Sequence, residues 1–337
     1  MANAQGASVY VMYGKESTAG TPVTRTKAIE PLNAGVRVER SVGYSRTIRG
    51  LDPQRSFTRR LRGVGPFGFE MFFAGIEELL RQCTFGSKTT TIVSGAYRHE
   101  FARTTDTGVY AAVPAGLSFE QHVDIENYLF TGVKCGQAVL SFPVDEMPSV
   151  AMDLVAMSGA LNGTPTDPTG LFPSDTHKIT PDMITVTIDG TNMSIDARNV
   201  EATIGNAIDG ERGRYGSINP KEAVRSGQRP DCMVRLELDY TDVTKGLVAK
   251  LISGASVSVK VAAAGAAIGA TGQNLTYMFE APNCTIEEGF PAPGDSGQIP
   301  LSLSLKAMPA AASAFTNTGG LGNTGYKVTL INANSTY

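Results

Sequence analysis

The chain has 337 residues, a formal net charge of −3, 42% hydrophobic and 18% charged residues, 37 glycines and no tryptophan. That balance excludes a disordered chain and argues against a nucleic-acid binder working by bulk attraction, while the length suits one large β domain or two ordinary ones. Cys83, Cys135, Cys232 and Cys284 lie far apart without CxxC spacing, which excludes a zinc ribbon and gives no disulfide framework. No charged-then-apolar leader precedes Gly14 and no apolar run reaches membrane-spanning length, so the thiols are expected reduced, in a cytoplasm.

The first clear element is a strand in which Val36 and Val38 alternate with Arg37 and Glu39. A polar segment, Ser41 to Arg62, follows. It holds Arg46, Arg49, Arg55, Arg59, Arg60 and Arg62 against a single acid, Asp52. A basic loop of this length without internal structure is unusual unless it meets a partner, and arginine suits carboxylates at interfaces. Gly63 to Met71 reads as a strand whose glycines allow bending or close backbone approach. The pattern then turns helical. Phe72, Ile76, Leu79 and Leu80 share one face, Glu77, Glu78 and Arg81 point away, and Gly86 stands where a left-handed cap is expected. Such a short amphipathic helix would plug one face of a sheet.

Strands are expected next at Tyr97–Phe101, Leu117–Val123, Tyr128–Phe142 and Val150–Met157. Residues 161–182, dense in Pro, Thr, Asp and Gly, read as a linker between modules at 1–160 and 183–310. Beyond it, Ile184–Asp189, Val234–Tyr240, Ser256–Val261 and Leu301–Leu305 each alternate apolar with polar, the signature of antiparallel strands covered on one side. A last strand is expected at Tyr326–Ile331, within a C-terminal tail, 311–337.

The two halves echo each other. Tyr128, Phe130 and Cys135 return in register as Tyr277, Phe279 and Cys284, and Phe142-Pro143 as Phe290-Pro291. Ala156-Met157 returns as Ala307-Met308, and Phe69-Glu70-Met71 as Leu236-Glu237-Leu238. The first helix is matched by Val243, Leu247, Val248 and Leu251. The first basic loop is matched by Asp209–Pro230, which carries Arg212, Arg214, Lys221 and Arg225. One such loop per module suggests docking arms for neighbouring copies.

Catalytic patterns fail on their context. Gly63-Val-Gly65-Pro-Phe-Gly68 fits G-x-G-x-x-G, but Pro66 removes an amide from the cradle and no acid stands about 20 residues on. Gly294-Asp-Ser296-Gly297 would need a histidine base and an orienting aspartate, and it reads better as a turn. His99, His122 and His177 are too scattered for that base or for a metal site. No cofactor is expected.

Gly14-Lys-Glu16-Ser-Thr-Ala-Gly20-Thr21-Pro22, the polar loop after it, the Gly-x-Phe-x-Phe-Glu strand at Gly65–Glu70, the helix to Gly86 and the strands of Tyr128–Gly159 together resemble the tail tube proteins of long-tailed bacteriophages. The resemblance implies a mainly β fold of tandem antiparallel sandwich or barrel modules, each with a short flanking α-helix. It implies a structural virion protein without catalysis, made in the host cytoplasm, that forms stacked rings around a conduit for DNA. Partners would be further copies, a tape measure protein and the tail terminator and distal tail proteins, with no membrane. A real repeat gives trimeric rings of pseudo-sixfold symmetry, and otherwise hexamers. A baseplate ring or secretion-tube component is the alternative, and a hydrolase using Ser296 a further one.

Roughly 24 strands at about 4.8 Å, tilted by about 45°, close on a backbone diameter near 50 Å, wide enough for a duplex once side chains are added. A conduit should not grip its cargo, so its lining is expected to be neutral or acidic, with Glu120, Asp153, Glu237 and Asp239 as candidates.

Overall fold

The computed structural model describes residues 9–44, 56–103, 114–210, 213, 217–220, 222, 224–225, 231–291, 298–316 and 324–335. The fold is mainly β and antiparallel, with two short α-helices among the described residues. In chain order the first half holds β1 (Val9–Lys15), β2 (Lys27–Ile29), β3 (Pro31–Ala34), β4 (Arg37–Tyr44), β5 (Ser56–Glu70), α1 (Glu77–Thr84), β6 (Ser87–Val93), β7 (Ala96–Ala102), β8 (Leu117–Val123), β9 (Glu126–Pro143), β10 (Ser149–Ala156) and β11 (Ser158–Leu161). The second half holds β12 (Ile184–Ile188), β13 (Thr191–Asn192), β14 (Ala197–Gly205), β15 (Ile208–Asp209), β16 (Val224–Arg225), β17 (Asp231–Asp239), α2 (Lys245–Ser253), β18 (Val257–Ala267), β19 (Asn274–Glu288), β20 (Pro300–Ala307) and β21 (Lys327–Asn332). Every alternating run lies in a strand, because a two-residue period buries one side of the ribbon against the core.

Pairing follows the same plan in both halves. The front part of the long strand β9 lies between β8 and β11, and its rear part beside β10, which pairs with β5. The front of β19 lies between β18 and β21, and its rear beside β20, which pairs with β17. β1 and β12 then flank β8 and β18. Each half is therefore two layers sharing one strand. Phe67, Phe69, Phe119 and Phe130 fill the first, with Phe67 and Phe119 edge-to-face at 5.1 Å.

The halves are sewn together twice. β9 pairs with β14 from Gln137–Gly205 to Pro143–Asn199, making one continuous sheet in the order β4–β5–β10–β9–β14–β17–β20–β19. On the other layer β21 runs between β19 and β7. There Lys327, almost wholly buried, reaches Glu100 at 3.1 Å and Glu280 at 3.6 Å.

Three local expectations change. The helix ends on Phe85, at φ 47°, and not on Gly86. Glu77 and Glu78 face inward: Glu77 accepts hydrogen bonds from the Asn332 and Asn334 amides at 2.8 and 2.9 Å, and Glu78 pairs with Arg81. The reason is the C-terminal strand, which covers the helix face that local pattern assigns to water. Lastly, much of Ser41–Arg62 is an antiparallel arm and no loop, with Tyr44 opposite Ser56 and Glu39 opposite Arg62. The glycines before the helix serve close packing. Gly65 has φ 154°, and a Cβ there would lie 2.1 Å from the Gly35 carbonyl oxygen.

Candidate assembly surface

The eight-strand sheet turns one face to the core and leaves the other open. Along β10, Ala151 and Asp153 are exposed between buried Val150, Met152 and Leu154. Asp153 stands opposite Gln137 and Pro66. Glu201 stands opposite Arg235, and Glu237 opposite Asn199 and Ser302. Asp239 continues that side of β17 and makes an ion pair with Arg198 at 2.5 Å. Acids and bases interleave on this face, so no large field of one sign builds up across it.

Glu120 lies elsewhere. It sits on β8 with 0% exposure and is sealed beneath the segment between the halves. Its carboxylate accepts from the Thr166 amide and hydroxyl and from Asn127, each at 2.8 Å, and pairs with Arg25. Burial alone would raise its pKa; those donors and the Arg25 charge outweigh it and hold it below the ordinary carboxylate range. A group already withdrawn from water within one chain cannot line a bore, so Glu120 is an anchor for the linker.

Sequence reasoning also missed a second inward carboxylate. Glu16 accepts from the Gly20 amide at 2.7 Å, from the Ser118 hydroxyl at 2.9 Å and from the Gly132 amide at 3.0 Å. It pins the turn after β1 onto β8 and β9. The cluster of small residues after Glu16 was the available signal, since a tight turn with free amides suits a buried carboxylate.

The sheet has two open edges. β4 pairs only with β5, and the rear of β19 only with β20, among the described residues. The repeated Phe-Pro pairs, at 142–143 and 290–291, show what this means. Phe142 is 4% exposed, with β14 running beside it and Tyr277 at 5.8 Å. Phe290, its echo in the second half, lies just past the end of β19 and is 66% exposed, with β20 on one side through the Pro291–Leu301 bridge and no described strand on the other. The same Phe-Pro pair is thus enclosed in the first half and open in the second.

The two basic segments also differ. The β4–β5 arm runs on past the end of β10. Arg40 donates to Thr58 at 2.9 Å, Arg62 pairs with Glu39 at 2.9 Å, Arg59 is exposed, and Arg60 lies on the same strand. The segment after β14 folds back onto its own first half. Asn206 donates to the Cys83 and Cys135 carbonyls at 2.9 and 3.0 Å, the Leu61 amide donates to the Ile218 carbonyl at 2.9 Å, and Glu222 pairs with buried Lys134. Arg225 lies on β16, paired through its backbone with Ile208. Arg46, Arg49, Arg55, Arg212, Arg214 and Lys221 lie outside the described residues, as does Gly294–Gly297.

The histidines are apart. His99 is buried against Thr90, Asn332 and Asn334, His122 stacks on Tyr10 at 4.5 Å, and His177 lies in the linker. No helix among the described residues is long and apolar enough to cross a membrane. None of the curated proteins compared with the chain matches it. A family model described as "Phage tail tube protein" matches residues 6–307.

Proposed function

The chain belongs to the phage tail tube protein family, structural components of the virion tail and not enzymes, and we propose that its copies close into rings by joining the open edges of their sheets. The observation that carries this is the pair of open edges, β4 and the rear of β19, with Phe290 exposed where Phe142 is enclosed. Within the chain, the rear of β9 is completed by β14; between chains, the rear of β19 would be completed by β4 of the next copy. Closed cyclic pairing removes both edges, which would otherwise invite uncontrolled association.

The two halves act as tandem modules, 1–160 and 183–310, joined by the linker at 161–182. Each chain brings the eight strands β4, β5, β10, β9, β14, β17, β20 and β19, so three chains supply the 24 strands of a ring with pseudo-sixfold symmetry. Rings stack into a tube, with the tape measure, terminator and distal tail proteins at its core and ends. The open face with Asp153, Glu237 and Asp239 lines the bore. Its mixed, acid-containing surface lets DNA slide, because tight holding needs a run of cations against phosphates.

Electron microscopy of the purified full chain, averaged in cross-section, tests this. Threefold rings with six similar lobes are expected. Monodisperse monomers at every concentration, or rings of six chains, would overturn ring closure or its stoichiometry respectively.

A further inference from the structure

Asn162 is the one asparagine in the chain that a glycine follows. It comes directly after β11, where the segment between the halves begins. Its own backbone amide donates to the Asn127 carbonyl at 2.7 Å, which fixes the chain on that side. Four residues on, the amide and hydroxyl of Thr166 are fixed in turn by the Glu120 carboxylate, each at 2.8 Å. Between these two anchors Gly163, Thr164 and Pro165 are exposed.

Among the described residues, neither the Asn162 side-chain amide nor the Gly163 N–H makes a hydrogen bond. A Cβ built on Gly163 would meet nothing within 4 Å. Asparagines elsewhere are held in place. Asn127 donates to Glu120 at 2.8 Å, Asn206 to the Cys83 carbonyl at 2.9 Å and Asn332 to the Phe73 carbonyl at 3.0 Å, and all three are buried. Asp189-Gly190, a similar pair in acid form, spends its carboxylate on the Ser258 amide at 2.9 Å and on Lys250 at 2.5 Å.

We propose that Asn162–Gly163 is a site of spontaneous covalent modification, with water as the only co-reactant, and that its product loosens the joint between the halves. The Gly163 backbone nitrogen attacks Asn162 Cγ. The N–Cγ bond forms, the Cγ–Nδ2 bond breaks, and the side-chain nitrogen leaves as ammonia with the Gly163 amide proton. Glycine suits this step, because it has no Cβ to crowd the attacking nitrogen and its backbone turns without strain. Water then opens the five-membered imide. Addition at Cγ gives aspartate; addition at the main-chain carbonyl carbon gives isoaspartate, in which the chain runs through the former side chain. No electrons are transferred. Both products add a negative charge, and isoaspartate makes the path between the Asn127 and Thr166 anchors one atom longer. The proposal concerns the single chain and holds whether or not copies assemble.

Ageing the folded full chain at mildly alkaline pH, then mapping its peptides by mass, tests it. The peptide carrying residue 162 should gain the difference between an amide and an acid sooner than any other asparagine peptide. The aged chain should accept methyl groups from S-adenosylmethionine through an isoaspartyl methyltransferase, and proteases should cut residues 162–172 faster than in fresh protein. Gly163→Ala, which has room for its methyl, should slow conversion at least about tenfold. Asn162→Gln, whose longer side chain would have to close a six-membered ring, should accept no methyl groups. The proposal is overturned if residue 162 stays asparagine while the guanidinium-unfolded chain converts, or if another asparagine reacts first. Ageing of the Gly163→Ala chain at the wild-type rate, a methyl-accepting Asn162→Gln chain, or unchanged cutting of the isoaspartyl protein would overturn it equally.

Discussion

Truncating Phe290 and Phe142 separately should give opposite results, although both belong to the Phe-Pro pair that the two halves share. A phenylalanine side chain buries about 150–250 Å² when fully enclosed. With 66% of Phe290 exposed, about 130 Å² remains to be covered by a neighbour. At about 25 cal/mol per Å² that is about 3 kcal/mol per contact, or roughly 200-fold in the association constant of each edge. Phe290→Ala should therefore change the stability of the isolated chain by less than about 0.5 kcal/mol while moving rings toward monomers. Phe142 is already enclosed by β14 and Tyr277, so Phe142→Ala should cost the monomer about 3–5 kcal/mol. Thermal unfolding of dilute monomer and sedimentation velocity at rising concentration separate the two. Equal losses of monomer stability, with ring populations unchanged in the Phe290 variant, would refute the missing-neighbour argument.

Glu120→Gln should loosen the linker, with a loss of about 2 kcal/mol at neutral pH, because charge-assisted bonds to Thr166, Asn127 and Arg25 become ordinary or vanish. The wild-type carboxyl has its pKa held down in the fold, so its contribution is present above the unfolded value and lost as pH falls through the folded one. Limited proteolysis at residues 162–172 should thus accelerate in acid for wild type and vary little with pH for the variant. All four cysteines are buried, and burial pushes Cys284 up to about 12 and raises Cys135 and Cys232 as well. Maleimide at pH 8 should accordingly label none in the folded protein and four after guanidinium; rapid labelling of the native chain would contradict that packing. Asn332→Ala removes donors to Phe73 and Glu77 and should leave that inward carboxylate short of partners, lowering stability by about 1–3 kcal/mol in a denaturant titration.

Period-two alternation made the strands readable from sequence, since each run needs one buried and one wet side whatever it packs against. The repeat was readable for the same reason: Tyr128 and Tyr277, or Cys135 and Cys284, mark the same place on the same long strand. What stayed hidden depended on contacts far along the chain. Glu77 and Glu78 carry the local marks of a solvated helix face, yet residues 332 and 334 close over it, more than 250 positions away. Glu120 reads as the polar side of a strand until Thr166 and Arg25 cover it. The basic segment looked structureless because Arg, Ser and Gly do not alternate with apolar residues, although the ladder from Arg37 to Tyr44 needs only backbone groups.

The repeat shows what the halves share, but assembly depends on how they differ. Two identical modules would present identical edges and identical arms, and a chain of them could pair in either order or stop at any number. Here the rear of one long strand is flanked inside the molecule by β14 and the rear of the other by no second described strand; one polar segment is tied down by Glu222 and Asn206 and β5 runs on past the end of β10. Further, β21 lies beyond the family match at residue 307 and locks β7 to β19, holding the two halves together within the chain. With the halves joined inside the chain, the curvature of the shared sheet is set there as well, and in the proposed ring the number of chains follows from that curvature.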